Sequence, residues 1–131
     1  MKNSRNNKNC RKPLILILEN NVDFREIVIK FFLEFDLYAI GAGTIKEANE
    51  IYNNYSSSIL FFLIDIWIPK GNGLEFLKQI RLKGNNSTAI IMSSIITDDV
   101  IKIGEKIGNV KYMEKPINLR ELLNEFRKIK V

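Results

Sequence analysis

Two stretches of the chain are apolar at every position, 13–18 (PLILIL) and 59–64 (ILFFLI). Short unbroken apolar runs bounded by polar or turn residues fit strands buried on both faces. Weaker runs of the same kind occur at 37–42, 89–92 and 110–113. Between them the period changes. Phe24, Ile27, Val28, Phe31, Phe32 and Phe35 recur at helical spacing, which predicts a helix over 22–35 whose apolar side joins the core. Thr44 with Glu47, and Asn118 with Glu121, have capping-box spacing. They predict helices over about 44–52 and from 118 to the C-terminus, with 53–58 as a polar loop. Leu74, Leu77 and Ile80 continue a helix after a turn at 69–73, and Gly84 and Asn85 stop it. Asp98 or Asp99 opens the remaining helix, which closes near Gly108.

Strand and helix therefore alternate five times with short connections. That order implies an α/β fold with one parallel sheet and helices on both faces. No internal repeat, long linker or second domain is visible, and 131 residues suit one domain with a sizeable core. The net charge of +5 changes this picture little, because residues 1–12 hold five basic side chains and no acid. Residues 13–131 balance at 15 of each sign, so the folded body is neutral and direct nucleic-acid binding is not expected. The basic, Asn-rich residues 1–12 are read as a disordered, solubilising leader. A single cysteine, Cys10, excludes an internal disulfide and fits a reducing compartment. No apolar run is long enough to span a bilayer, and no secretory cleavage pattern follows the basic start. The expectation is a cytoplasmic protein without membrane contact.

In open parallel sheets ligands bind beyond the carboxyl ends of the strands. Those ends carry Glu19 and Asn20, Asp65, Ser93 and Lys115. A carboxylate closing a run such as FFLID must be compensated by a cation or by hydrogen bonds. Clustered carboxylate oxygens suit a hard cation such as Mg²⁺, which leaves coordination positions for a phosphate. A carboxylate can also attack phosphorus. Asp65, Lys115 and Ser93 thus fit a nucleophile, a phosphate clamp and a hydroxyl donor to phosphate oxygen. The chain has no histidine, which excludes a His nucleophile, an imidazole metal site and a Ser-His-Asp triad within it.

The stretch DIWIPKGNG, with IIMSS and YMEKP in order after it, resembles the receiver domains of two-component response regulators, including the single-domain chemotaxis regulators. The resemblance covers 13–131 and implies a (βα)5 doubly wound, flavodoxin-like sheet of order 2-1-3-4-5. It puts Asp65 at the phosphoacceptor place, with Pro69 and Gly73 in register. Ser93 takes the switch hydroxyl, Ser94 the small residue after it, Lys115 the invariant lysine and Tyr112 the aromatic switch. Ser93 and Lys115 stand 22 residues apart, as an intervening helix and strand require. Trp67 and Ile95 take the positions flanking the phosphoryl group. Both are bulky and apolar, and their expected effect is to hinder the attacking water and lengthen the life of an aspartyl phosphate.

One departure matters. The family carries two adjacent acids after the first strand, whereas this chain has Glu19 followed by Asn20. With Glu19, Asn20, Asp65 and the Trp67 backbone carbonyl as the implied ligands, loss of one charge predicts weak Mg²⁺ binding. The expected function is that of a stand-alone receiver. It takes a phosphoryl group from a sensor histidine kinase or phosphotransfer protein and presents the face of the fourth helix, fifth strand and fifth helix to a protein target. A regulatory phosphoacceptor of this kind is not an enzyme in the ordinary sense. The alternative, motivated by Asn20, is a degenerate receiver that binds partners without phosphorylation. A small cofactor-binding or phosphatase α/β domain is disfavoured. The first turn has no glycine-rich phosphate loop, and Trp67 stands where a second acid would be needed.

Overall fold

The computed structural model describes residues 12–129, so the leader expected over 1–12 lies, apart from Lys12, outside the described residues. Five parallel strands form one sheet: β1 (Ile15–Leu18), β2 (Ala39–Ala42), β3 (Phe61–Asp65), β4 (Thr88–Ser93) and β5 (Val110–Glu114). Their order is β2-β1-β3-β4-β5, the expected 2-1-3-4-5. Five helices connect them: α1 (Val22–Leu33), α2 (Ile45–Tyr55), α3 (Gly73–Leu82), α4 (Asp98–Ile107) and α5 (Leu119–Arg127).

The continuous apolar runs follow from this layering. Side chains alternate across a strand, so a strand covered on both faces needs apolar residues at every position. Leu16, Leu18, Phe62, Ile64 and Ile91 meet Tyr52, Phe76, Leu77 and Ile80 on the side of α2, α3 and α4. Ile15, Ile17, Phe61, Leu63, Ile90 and Met92 meet Val28, Phe32, Leu122 and Phe126 on the side of α1 and α5.

Boundaries differ from the sequence expectation in instructive places. Helix α2 runs on to Tyr55, so the first half of the expected 53–58 loop is helical. The last helix stops at Arg127. The expected 69–73 turn is the tip of a two-stranded antiparallel ribbon pairing Trp67 with Asn72 and Ile68 with Gly71. Strand β5 lies at a sheet edge and is only half-buried, which its lysine and glutamate positions reflect. Helix α1 stops at Leu33, two residues short of the expected end; within it only Val28 and Phe32 are fully buried, while Ile27, and Phe35 just beyond it, are exposed. Among the described residues no helix is long and apolar enough to cross a membrane.

Candidate functional site

Among the described residues the buried polar or charged side chains are three: Glu19, Asp65 and Ser93. All sit at carboxyl ends of neighbouring strands, so the sheet buries its polar side chains at one place. Lys115, just beyond β5, supplies the compensation. Its Nζ donates to Asp65 Oδ2 at 2.9 Å and to Glu19 Oε1 at 2.9 Å. The other carboxylate oxygens take backbone donors. Glu19 Oε2 accepts from the Asn21 N–H at 2.9 Å, and Asp65 Oδ1 accepts from the Trp67 N–H at 3.1 Å. Two carboxylates against one ammonium leave the cluster with a residual negative charge. Burial alone would lower the Lys115 pKa, but the bonds to Asp65 and Glu19, together with their charges, hold it above the ordinary lysine value.

Local backbone explains why these groups meet. The Lys115 N–H donates to the Ser93 carbonyl at 2.8 Å, continuing the β4–β5 ladder past its end and bringing Lys115 alongside Ser93. Ser93 Oγ accepts from the Ile95 N–H at 3.3 Å. Gly73 answers to close approach: a Cβ there would run into the Asp65 carbonyl and Ile64 Cγ2. Only glycine lets the start of α3 fold back against the strand that carries Asp65. The ammonium also lies 5.7 Å from the centre of the Phe24 ring, a cation–π contact on the α1 side.

The remaining candidate residues are distributed around this cluster. Asn20 is exposed beside Glu19, and its amide reaches the Gly43 carbonyl only at 3.5 Å. Trp67 and Ile95 project into solvent at the rim, and Ser94 is exposed next to Ile95. Tyr112 turns inward against α4, with its hydroxyl donating to the Ile101 carbonyl at 3.1 Å. Burial, reinforced by the charge of Glu105, raises its phenol above the ordinary tyrosine value. Sequence reasoning did not find Arg25. Its guanidinium donates to the Glu19 carbonyl at 2.7 Å and its stem crosses Gly41, which fixes the turn bearing Glu19 and Asn20. The available signal was an arginine in the first turns of a helix that follows an acid, too common a pattern to single it out.

A sequence model described as the response regulator receiver domain matches residues 15–127. The chain belongs to that family. The receiver is 29% identical over 109 residues to the transcriptional regulatory protein CiaR of Streptococcus pneumoniae, covering 82% of this chain and 47% of CiaR. It is 26% identical over 119 residues to MalR of Bacillus subtilis, covering 87% of this chain and 50% of MalR. The chain thus spans about half the length of these relatives. Among solved structures, the chemotaxis protein CheY4 of Vibrio cholerae superposes with a TM-score of 0.81 at 16% identity, covering 92% of this chain and 100% of that one. A two-component response regulator from Clostridium difficile gives 0.79 at 23% identity, covering 89% and 94%. These two likenesses bear on the fold.

The receiver's rim offers oxygen donors for a hard cation, namely the Glu19 and Asp65 carboxylates and the Asn20 amide. No group of three or more His, Cys, Asp or Glu that could hold a metal occurs among the described residues. Asn20, next to Glu19 in sequence, brings an amide and not a third acid. The donor chemistry therefore fits Mg²⁺ in kind, with one charge fewer than three acids would supply.

Proposed function

We propose that Asp65 accepts a phosphoryl group from a phosphohistidine on a sensor histidine kinase or phosphotransfer protein, in the cytoplasm and with Mg²⁺. A carboxylate oxygen of Asp65 forms the new O–P bond as the P–N bond breaks, and the imidazole leaves with the bonding pair and takes up a proton. Lys115, already bonded to Asp65, would follow the added charge onto a phosphoryl oxygen, and the Ser93 hydroxyl would donate to another. Glu19, Asn20, Asp65 and the Trp67 carbonyl would hold Mg²⁺, which when bound supplies positive charge to the phosphoryl oxygens. The supporting observation is the convergence of two buried carboxylates, Glu19 and Asp65, on the Lys115 ammonium, with the third buried polar side chain, Ser93, at the end of the neighbouring strand β4. Output goes through a protein target on the face of α4, β5 and α5, biased by movement of Tyr112. The neutral charge balance of residues 13–131 supports a protein rather than a nucleic acid as that target.

Incubation with a small-molecule phosphodonor and Mg²⁺, followed by intact mass, should show one added phosphoryl group that Asp65→Asn abolishes. No adduct, or one that persists in Asp65→Asn, rejects the proposal and favours an interaction module that works without phosphorylation. Trp67 and Ile95 would screen the acyl phosphate from water. Trp67→Asn should then speed spontaneous loss of phosphate several-fold, and an unchanged rate would remove that role.

A further inference from the structure

A second surface stands apart from this site, on the side of α4 that faces α3. Helices α3 and α4 leave between them a groove of about 410 Å³, lined by Lys78, Arg81, Leu82, Ile103, Lys106 and Ile107. Lys78, Arg81 and Leu82 fall on one side of α3 at three- and four-residue spacing, and Ile103, Lys106 and Ile107 do the same on α4. The groove thus combines Leu82 of α3 with Ile103 and Ile107 of α4, flanked by Lys78 and Arg81 on one helix and Lys106 on the other. Leu82 is 76% exposed and Ile103 46%, so the groove offers apolar surface that a partner could cover. No acid lines the groove. Among the described residues none of its three cations has an ion-pair partner.

The floor is held in place. The Arg81 guanidinium donates to the Gly108 carbonyl at 2.9 Å and 3.2 Å and to the Asn85 carbonyl at 3.1 Å. It ties the end of α3 to the turn after α4 without spending its charge on a carboxylate. A groove that does not have to form on binding loses less free energy to ordering.

We propose that this groove docks an acidic amphipathic helix of a protein partner. Its leucine-like side chains would cover Leu82, Ile103 and Ile107, and its flanking carboxylates would meet Lys78, Arg81 and Lys106. Charge complementarity selects this occupant. It also excludes the chain's own first twelve residues, whose charged side chains are all basic.

The probe is a fluorescein-labelled helical peptide with leucine on one face and glutamate on both flanks, against the same peptide with lysine for glutamate. Fluorescence anisotropy with the full chain should show the glutamate peptide binding at least about tenfold more tightly, with affinity falling as salt rises. Amide shifts should concentrate on α3 and α4 around Lys78–Leu82 and Ile103–Ile107. Ile103→Asp and the pair Lys78→Glu with Lys106→Glu should each weaken binding at least about tenfold without moving the thermal melt. Equal binding of both peptides, no binding, shifts on another face, or variants that bind like the parent would overturn the proposal. So would self-association abolished by Ile103→Asp, which assigns the groove to a second copy. Preferential capture by anionic vesicles assigns it to a lipid surface and overturns the proposal as well.

Discussion

Lys115 balances two buried carboxylates with one charge, and most of the site's behaviour at residue scale follows from that shortage. Lys115→Met leaves Glu19 and Asp65 buried without a cation and should cost about 3 kcal/mol in urea unfolding at neutral pH. The sign with pH is fixed by direction. Because the folded-state pKa of Lys115 lies above its unfolded value of 10.5, its contribution is complete below pH 10.5. It is lost as pH rises through the higher folded value. The parent protein should therefore lose stability in that alkaline range, and Lys115→Met should lack this component of the loss. Asn20 is the other half of the balance. Asn20→Asp adds a negative charge to a cluster already negative, so without metal it should lower stability by about 1 kcal/mol. Millimolar Mg²⁺ should restore the loss, and Mg²⁺ affinity read by Trp67 fluorescence should tighten. A variant as stable as the parent and no better at binding Mg²⁺ would show that position 20 does not set the charge of the site. Asp65 and Ser93 were legible in the sequence because each follows an apolar run, and Lys115 because YMEKP resembles the family's motif. The bonds from Lys115 and Asn21 that occupy both oxygens of Glu19 were not, because they depend on how far β1 and β5 stand apart in the folded sheet.

At the scale of elements, the helices are fixed by their starts. Side chains of Asn21, Thr44, Asn72, Thr97 and Asn118 each accept a backbone N–H of the first turn. The sequence reading found Thr44 and Asn118 through their paired glutamates. It passed over Asn72 within the ribbon and placed the start of α4 on Asp98 or Asp99, one or two residues after its cap, Thr97. Even at Thr44 the box is displaced, since Glu47 Oε1 accepts from the Gly43 N–H at 2.8 Å rather than from the cap itself. Helix interiors follow other rules. Gly104 lies in the middle of α4, where alanine would ordinarily stabilise by about 1 kcal/mol. Here a Cβ would meet the Tyr112 hydroxyl and ring, so the glycine makes the space that Tyr112 occupies. Gly104→Ala should fail to stabilise the protein and should turn Tyr112 outward, bringing its raised phenol pKa back toward the ordinary 10.0. In a Tyr112→Ala background the same substitution should recover about 1 kcal/mol. Equal effects in both backgrounds would mean that Gly104 and Tyr112 are not coupled.

Across the whole molecule, the sheet is strong at one side and weak at the other, and the site lies between. Sequence periodicity reported the fold well where strands are covered on both faces, since β1, and β3 up to the Asp65 that ends it, are apolar at every position. It misjudged β5 as buried because an edge strand mixes apolar and charged positions for reasons of topology, not of local pattern. That difference has a dynamic consequence. Backbone in β1, β3 and the buried part of β4 can exchange its amide hydrogens only when the apolar layers on both faces come apart, which is global unfolding. In α4 only Gly104 is buried, and in β5 no side chain is fully buried, so little apolar area holds them closed. Their amides should exchange through local opening at a free energy well below the global value. Hydrogen exchange under mild denaturant should separate the two groups: β1 and β3 tracking global stability with a steep denaturant dependence, α4 and β5 nearly independent of it. A charge added at Asp65 would draw on Lys115, which is joined to the end of β5, so its pull would reach the part of the molecule that opens most cheaply. Exchange in α4 and β5 should then change on treatment with a phosphodonor while β1 and β3 stay as they were; uniform exchange across all five strands would break this link between burial and switching.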